Sequence, residues 1–432
     1  MKNRELKRKD IYIFDTKAKK YNGIEVATLI NKNIIRRDRM KYNFNEKIDR
    51  SENHAAKWAE MKMKFGREDL TPMWVADMDI KAAPEIVEAM AEKVKQEIFG
   101  YVYRPDSYYE SAANWVAKRF GYEISPKTLI HSPGVVPSMS ILVNMLTKTT
   151  DKILIQSPVY PPFAASVKDN GRQLIENHLV KDENGYYTIN FEDLENKLSQ
   201  EDVTLFILCN PHNPVGRVWK KDELEKMGNL CKKYNVRILA DEIWRDLIMP
   251  GHKHIPMGSI SKEIEDITIT LFSPTKSFNL AGLQASFATF PRAEERKEFD
   301  DILGRMDVKR NNPFSLVAFE AAYNKCEDWL EELIAHLDGN MQYVVDFINE
   351  RIPEIKTVKP EGTYLMWLDF NGIGIPQDKI QEFLINEAKV AMNDGGTFGE
   401  NGKGFARMNV ACPRYMVEEA IEKIEKAVKN IK

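Results

Sequence analysis

Cysteine is scarce in this chain. Its four residues, Cys209, Cys231, Cys326 and Cys412, are scattered over 432 positions with no CxxC and no Cys/His cluster. That argues against a disulfide framework or a structural zinc site and makes a reducing cytoplasm the expected compartment. Long apolar runs are also missing. None approaches the roughly 20 residues that cross a bilayer, so no membrane partner is expected. Positive charge is lacking over most of the chain: residues 1–39 hold twelve Lys/Arg against five Asp/Glu, leaving fifty against sixty in residues 40–432. An acidic body of this kind is not built to hold nucleic acid. The basic segment 1–39 carries one short amphiphilic patch, residues 24–35, but no signal-peptide core. It reads as a poorly ordered extension, with ordinary folded sequence opening at Met40.

What is present is material for a sizeable core: 43% apolar residues, seven Trp and twenty Phe. The length suggests two or three units of about 150 residues. From about residue 85, short apolar runs alternate with helical stretches. Strands are expected at 128–132, 152–156, 204–209, 237–240, 268–272 and 285–290, apolar on both faces as buried parallel strands are. The spacing of Leu224, Met227, Leu230 and Cys231 predicts a helix over 221–234. Alternation of this kind implies a doubly wound α/β domain. Past Asn311-Asn312-Pro313 come long helices, strands at 364–370 and 404–410, and a closing helix from Val417, the layout of a smaller α+β domain.

Ligands of such sheets gather at the carboxyl ends of the strands. The segments there are Pro133-Gly134-Val135-Val136, Ser157-Pro158-Val159-Tyr160, Asn210-Pro211-His212-Asn213-Pro214, Asp241-Glu242-Ile243-Trp244 and Ser273-Pro274-Thr275-Lys276. Each alone reads as a turn, a helix cap or a solvated side chain. Together they set an amine, a carboxylate, an amide, an aromatic ring and a helix-opening turn with free N–H groups along one sheet edge. Those are the parts that hold pyridoxal phosphate.

The run Ser273-Pro-Thr-Lys276-Ser-Phe-Asn-Leu-Ala-Gly resembles the Schiff-base lysine motif of fold-type-I pyridoxal-phosphate enzymes of the class I/II aminotransferase group, and Asn210-Pro-His-Asn213-Pro-Val-Gly resembles the loop that accompanies it. Four further stretches look like the branch of cystathionine and cysteine-S-conjugate β-lyases: Pro72-Met-Trp-Val-Ala-Asp-Met-Asp79, Phe99-Gly-Tyr101, Gly362-Thr-Tyr-Leu-Met-Trp-Leu-Asp369 and Gly404-Phe-Ala-Arg407-Met-Asn. The resemblance implies a fold-type-I architecture: a mostly parallel central sheet in a large cofactor-binding domain (86–325), a small α+β domain (326–432) and an arm (40–85) that joins the small domain.

It also implies roles. Lys276 would form the Schiff base and serve as base at Cα, Asp241 would pair with the ring nitrogen, and Asn213 would bond the phenolic oxygen and border the substrate. Tyr160 would stack on the ring. Ser273, Thr275 and the backbone of Val135 and Val136 would hold the phosphate. Arg407 would grip the substrate carboxylate. Tyr101 would reach across a homodimer into the neighbour's active site. Two positions depart from the wider group: Gln284 stands where an arginine often meets the phosphate, and Trp244 where many relatives carry Tyr or His. An indole donates one hydrogen bond and shuttles no proton, so Trp244 is expected to pack against the cofactor. The reaction implied is α,β-elimination on L-cystathionine, L-cysteine or a cysteine S-conjugate, giving pyruvate, ammonia and a thiol. An aminotransferase on the same scaffold and a regulatory partner-binding protein with little catalysis are the alternatives. His252-Lys-His254 has no further metal ligand nearby in sequence and reads as a solvated loop, and no metal is expected. The glycine-rich stretch 395–404 lacks a P-loop ending and reads as a flexible loop beside the substrate.

Overall fold

The computed structural model describes residues 41–50 and 52–431. The basic extension 1–39 with its amphiphilic patch, and Met40, lie outside the described residues. At the centre is a seven-stranded sheet built from β1 (Leu129–Ser132), β2 (Lys152–Ser157), β3 (Gln173–His178), β4 (Val203–Cys209), β5 (Arg237–Asp241), β6 (Thr268–Phe272) and β7 (Ser286–Thr289). Their spatial order is β1-β7-β6-β5-β4-β2-β3. Strands β3, β2, β4, β5 and β6 run parallel. Strand β7 is antiparallel to both β6 and β1.

All six expected strands form, with small shifts at their ends. The direction of β7 departs from the parallel expectation: the connection 273–285 holds only a three-residue 3-10 turn, Ala281–Leu283, and no crossover helix returns the chain. Strand β3 was not anticipated. It is the sheet's edge, and its sequence Gln-Leu-Ile-Glu-Asn-His offers two apolar side chains, since an edge has less to bury.

Helices cover both faces. In β4, Phe206 and Leu208 join Leu224, Met227 and Cys231 of α2 (Lys221–Lys233) in one core, while Leu205, Ile207 and Cys209 join Met139, Leu142 and Val143 of α1 (Val135–Leu146) in the other. This two-sided burial explains the unbroken apolar run, each large side chain contributing about 1.5–3 kcal/mol. Helix α3 (Pro313–Lys325) starts at its proline, with the Asn312 side chain accepting from Ser315 N at 2.8 Å. It is followed by α4 (Glu327–Arg351).

A second sheet is wholly antiparallel, in the order β8 (Lys356–Thr357), β9 (Leu365–Asp369), β11 (Phe405–Asn409), β10 (Asn393–Asp394). It is followed by α5 (Arg414–Lys429), which begins three residues before the expected start. The loop after β4 ties the two sheets together. Gly216 O accepts from Glu361 N (2.8 Å) and Gly362 N (3.1 Å), and buried Arg217 bonds Glu361 (3.0 Å) and Glu223 (2.8 Å). Gly216 sits at φ +72°, and a Cβ there would lie 2.6 Å from Pro360.

Gly216→Ala is therefore expected to cost at least about 1–2 kcal/mol, from the left-handed backbone alone. Urea unfolding checks it; an unchanged midpoint would mean that the junction has slack.

Candidate active site

Lys276 lies in the turn after β6, half-buried overall but with its amine enclosed. Its Nζ donates to the backbone carbonyl of Ala76 at 2.7 Å. That carbonyl belongs to a strap, residues 73–80, held by side chains along its length. Arg407 Nη2 donates to Trp74 O (3.2 Å), and Asn409 Nδ2 to Val75 O (2.6 Å) and Asp77 O (2.7 Å). Tyr364 joins Lys276 on Ala76 O at 2.8 Å. Asn279 Nδ2 donates to Met78 O (3.0 Å) and Ile80 O (2.9 Å). From Trp74 to Met78, five consecutive carbonyls are each taken by a side chain.

Behind the strap lies a buried ion cluster. Lys57, 1% exposed, meets Asp79 (2.7 Å) and Asp77 (2.9 Å), and Arg50 meets Asp79 (2.6 Å) and Asp77 (3.2 Å). Burial works against the Asp79 carboxylate, yet Lys57 and Arg50, with a hydrogen bond from Trp58, hold its pKa below the usual carboxylate range.

Burial dominates the electrostatics of the cleft. It lowers the Lys276 amine to about 8, with Arg407 adding to the shift and Asp77 and Asp241 opposing it. It raises Asp241 to about 7. The carboxylate of Asp241 accepts from Ile243 N at 3.0 Å, and among the described residues no cationic nitrogen lies within 4.0 Å of it. Arg407, 3% exposed, is lowered to about 10 by burial. Its fork reaches Asn213 Oδ1 (3.0 Å), Asn393 Oδ1 (2.8 Å) and Trp74 O, its Nε has no partner, and among the described residues no carboxylate pairs with it. Phe398 lies beneath the guanidinium, 5.0 Å from ring centroid to Cζ. Tyr160 is near enough to feel both Arg407 and Asp241, and its backbone N–H bonds Asn213 O at 3.0 Å.

Lys276, Asp241, Asn213, Tyr160, Arg407 and Trp244 thus share one cleft. Trp244 is buried 5.6 Å from Lys276 Nζ and packs edge-on against Tyr364, 4.8 Å between ring centroids. Val135 and Val136 open α1 directly after β1, where a helix leaves its first N–H groups unpaired. Ser273 Oγ donates to Ala285 O (2.7 Å) and accepts from Thr275 N (3.2 Å), so both residues brace the turn that carries Lys276. Tyr101 stands apart from the cleft, 88% exposed, with the Arg310 guanidinium over its ring at 4.5 Å.

Two sequence expectations fail here. His254 is not solvated: it is buried against Glu242 at 3.2 Å, while His252 is its exposed neighbour in the loop. The glycine stretch is anchored rather than loose. Phe398 is buried with its carbonyl bonded to Val159 N (2.9 Å), Asn401 Nδ2 donates to Ser157 O (2.9 Å), and Gly395 and Gly402 approach too closely for any Cβ. Sequence reasoning also missed Tyr364, Phe398, Asn393, Asn409 and the Ala76 carbonyl. Tyr364, Asn409 and Ala76 sit inside quoted motifs, but what they touch is decided by the second sheet's approach to the strap.

The donor set fits pyridoxal phosphate. A buried carboxylate without a cation suits a protonated ring nitrogen, a lysine lowered to about 8 suits Schiff-base formation, and free helix N–H groups suit a phosphate.

Asp79→Ala is expected to destabilise the protein by about 3–5 kcal/mol near neutral pH, because two buried cations lose their counterion. Asp79 has a depressed pKa, so its contribution is full above the ordinary carboxylate value and is lost as pH falls through the folded value. The gap between wild type and variant, read from urea midpoints, should narrow in acid; a gap that stays constant would locate the effect elsewhere.

The sequence profile of the family described as aminotransferase class I and II matches residues 70–424. Cystathionine beta-lyase PatB of Bacillus subtilis is 39% identical over 386 residues, covering 89% of this chain and all of that protein. Among solved structures, a PLP-bound putative aminotransferase from Clostridium difficile is 53% identical with a TM-score of 0.88, over 90% of this chain and all of the other. Cystalysin from Treponema denticola, whose structure contains pyridoxal 5'-phosphate, is 35% identical at a TM-score of 0.88, over 91% of this chain and all of that one. With the profile spanning most of its length, the chain belongs to the class I and II aminotransferase family.

Proposed function

We propose that the protein is a pyridoxal-phosphate-dependent carbon–sulfur β-lyase. Its substrates would be L-cystathionine, L-cysteine or cysteine S-conjugates, cleaved to pyruvate, ammonia and a thiol. The observation that carries the reading is the pairing, in one cleft, of a lysine amine lowered to about 8 with a buried arginine lacking a carboxylate partner. The likeness to a cystathionine β-lyase over 89% of the chain favours elimination as the outcome.

When bound, the cofactor supplies an electron sink for the pair left when the Cα proton departs. The chain supplies the rest. Arg407 takes the substrate carboxylate in its fork, steadied by Asn213 and Asn393. Lys276, partly neutral near pH 8, removes the Cα proton and then returns a proton to the departing sulfur. Asp241 keeps the ring nitrogen protonated, Asn213 bonds the phenolic oxygen, and Tyr160 lies on the ring. The N–H groups of Val135 and Val136, with Ser273 and Thr275, hold the phosphate, and Trp244 closes the back of the cleft. The released enamine reacts with water to give pyruvate and ammonia.

The protein works as a homodimer in this reading, with Tyr101 entering the neighbour's cleft; the exposure of that ring and its distance from its own Lys276 turn support this. No helix among the described residues is long and apolar enough to cross a membrane. The four cysteines are free and buried, which supports work in the cytoplasm. A second reading, amino-group transfer, is favoured by the name of the 53%-identical Clostridium difficile protein.

Pyruvate should appear when the purified protein meets L-cystathionine, and Lys276→Ala should release none. Turnover of an amino donor with a 2-oxo acid, and no pyruvate from cystathionine, would decide for transfer. Arg407→Lys should raise KM about tenfold to a hundredfold through loss of the charged fork, at largely retained kcat. Tyr101→Phe should slow turnover while the cofactor's colour remains; loss of the colour would make that tyrosine structural.

A further inference from the structure

Tyr364 has no part in the chemistry above, yet its hydroxyl and the Lys276 amine donate to the same oxygen, Ala76 O, at 2.8 and 2.7 Å. They therefore lie within 5.5 Å of each other, the sum of those two distances. Neither donor nor acceptor has much freedom. The Tyr364 ring is wedged by the edge of Trp244 at an interplanar angle of 83°. Its backbone carbonyl takes Val410 N at 3.0 Å, and Thr363 N before it bonds Leu247 O at 2.8 Å. The strap is fixed on both sides of Ala76 by Asn409, and Lys57 also donates to Asp77 O at 2.9 Å. The carbonyl has no room to turn toward one donor and away from the other.

We propose that Tyr364, wedged by Trp244, is a positioning residue that sets the proton affinity of the Lys276 amine through the shared carbonyl of Ala76. A carbonyl that accepts from an ammonium favours the charged form. A second donor on that oxygen draws on its electron density and brings its own positive hydrogen near the ammonium, so the charged form is held less well. Burial keeps the Tyr364 phenol protonated, lifting its pKa well above the ordinary value. The charged groups facing Lys276 are Arg407 and Lys57, which disfavour its protonation, and Asp77 and Asp241, which favour it. Tyr364 acts beside them without adding a net charge. It also gives Trp244 a task that its position among acid–base residues in relatives does not suggest: holding the phenol on the carbonyl.

The inference rests on the proposed cofactor chemistry, and the test separates the two. Full-length protein freed of cofactor is mixed with pyridoxal phosphate between about pH 6 and about pH 9.5, and the rate of growth of the yellow band is followed. Only the neutral amine attacks the aldehyde, so the rate should rise with pH, with a midpoint near 8 for wild type. Tyr364→Phe, which keeps the ring and removes the hydroxyl, should move the midpoint up by about half to one pH unit. Capture at pH 7 should then slow about threefold to tenfold. Tyr343→Phe, on α4, should leave the midpoint unmoved. A Tyr364→Phe midpoint at or below that of wild type, with the circular dichroism unchanged, overturns the inference and leaves the proposed function standing. Should Tyr364→Phe fail to fold, Trp244→Phe must raise the midpoint by loosening the wedge, and no rise overturns it equally. Wild type that takes up no cofactor at any pH overturns both readings.

Discussion

Five backbone carbonyls in a row, from Trp74 to Met78, have no strand or helix to satisfy them, and the cleft takes its shape from how they are satisfied instead. Buried carbonyls must find donors. Here the donors are Arg407, Asn409, Lys276, Tyr364, Lys57, Arg50 and Asn279. They come from the first sheet's lysine turn, from the second sheet and from the residues before the strap. The groups that do the chemistry are thus also part of the structure's hydrogen-bond ledger, and their positions are constrained before any ligand arrives. The Lys57–Arg50–Asp77–Asp79 cluster fixes the strap from behind, with its charges balanced two against two.

Within that frame, burial works on three groups in different senses. It lowers Lys276 to about 8 and Arg407 to about 10, and raises Asp241 to about 7. A structural ion network would pair such groups with one another. Here Arg407 and Asp241 are kept apart from counterions among the described residues, which leaves each to a group from outside the chain: a carboxylate for one and a protonated ring for the other. Phe398 serves the same end from below, supporting the guanidinium by its ring face without neutralising it.

Much of the fold was legible because buried strands have little choice of residue. The run Val-Thr-Leu-Phe-Ile-Leu-Cys in β4 packs on both faces, and nothing but an inner strand needs that. The polar edge strand β3 and the reversed β7 were not legible, since an edge buries one face less and direction depends on the route of the connection. His254 was misread for a related reason: its partner Glu242 lies twelve residues earlier, and the contact forms only when the loop folds back.

The sequence by itself determined the kinds of chemistry available: a lysine after β6, a carboxylate after β5, an amide between prolines after β4, and an arginine in a late strand. Residue type and strand-end position are local properties, so they can be read along the chain. Only the tertiary structure decided how those groups behave. Desolvation depends on everything packed around a side chain, and the Ala76 carbonyl takes Lys276 from 200 residues away and Tyr364 from 288. No local pattern records that two such distant donors meet on one oxygen, because the meeting is a product of the two sheets closing on the strap.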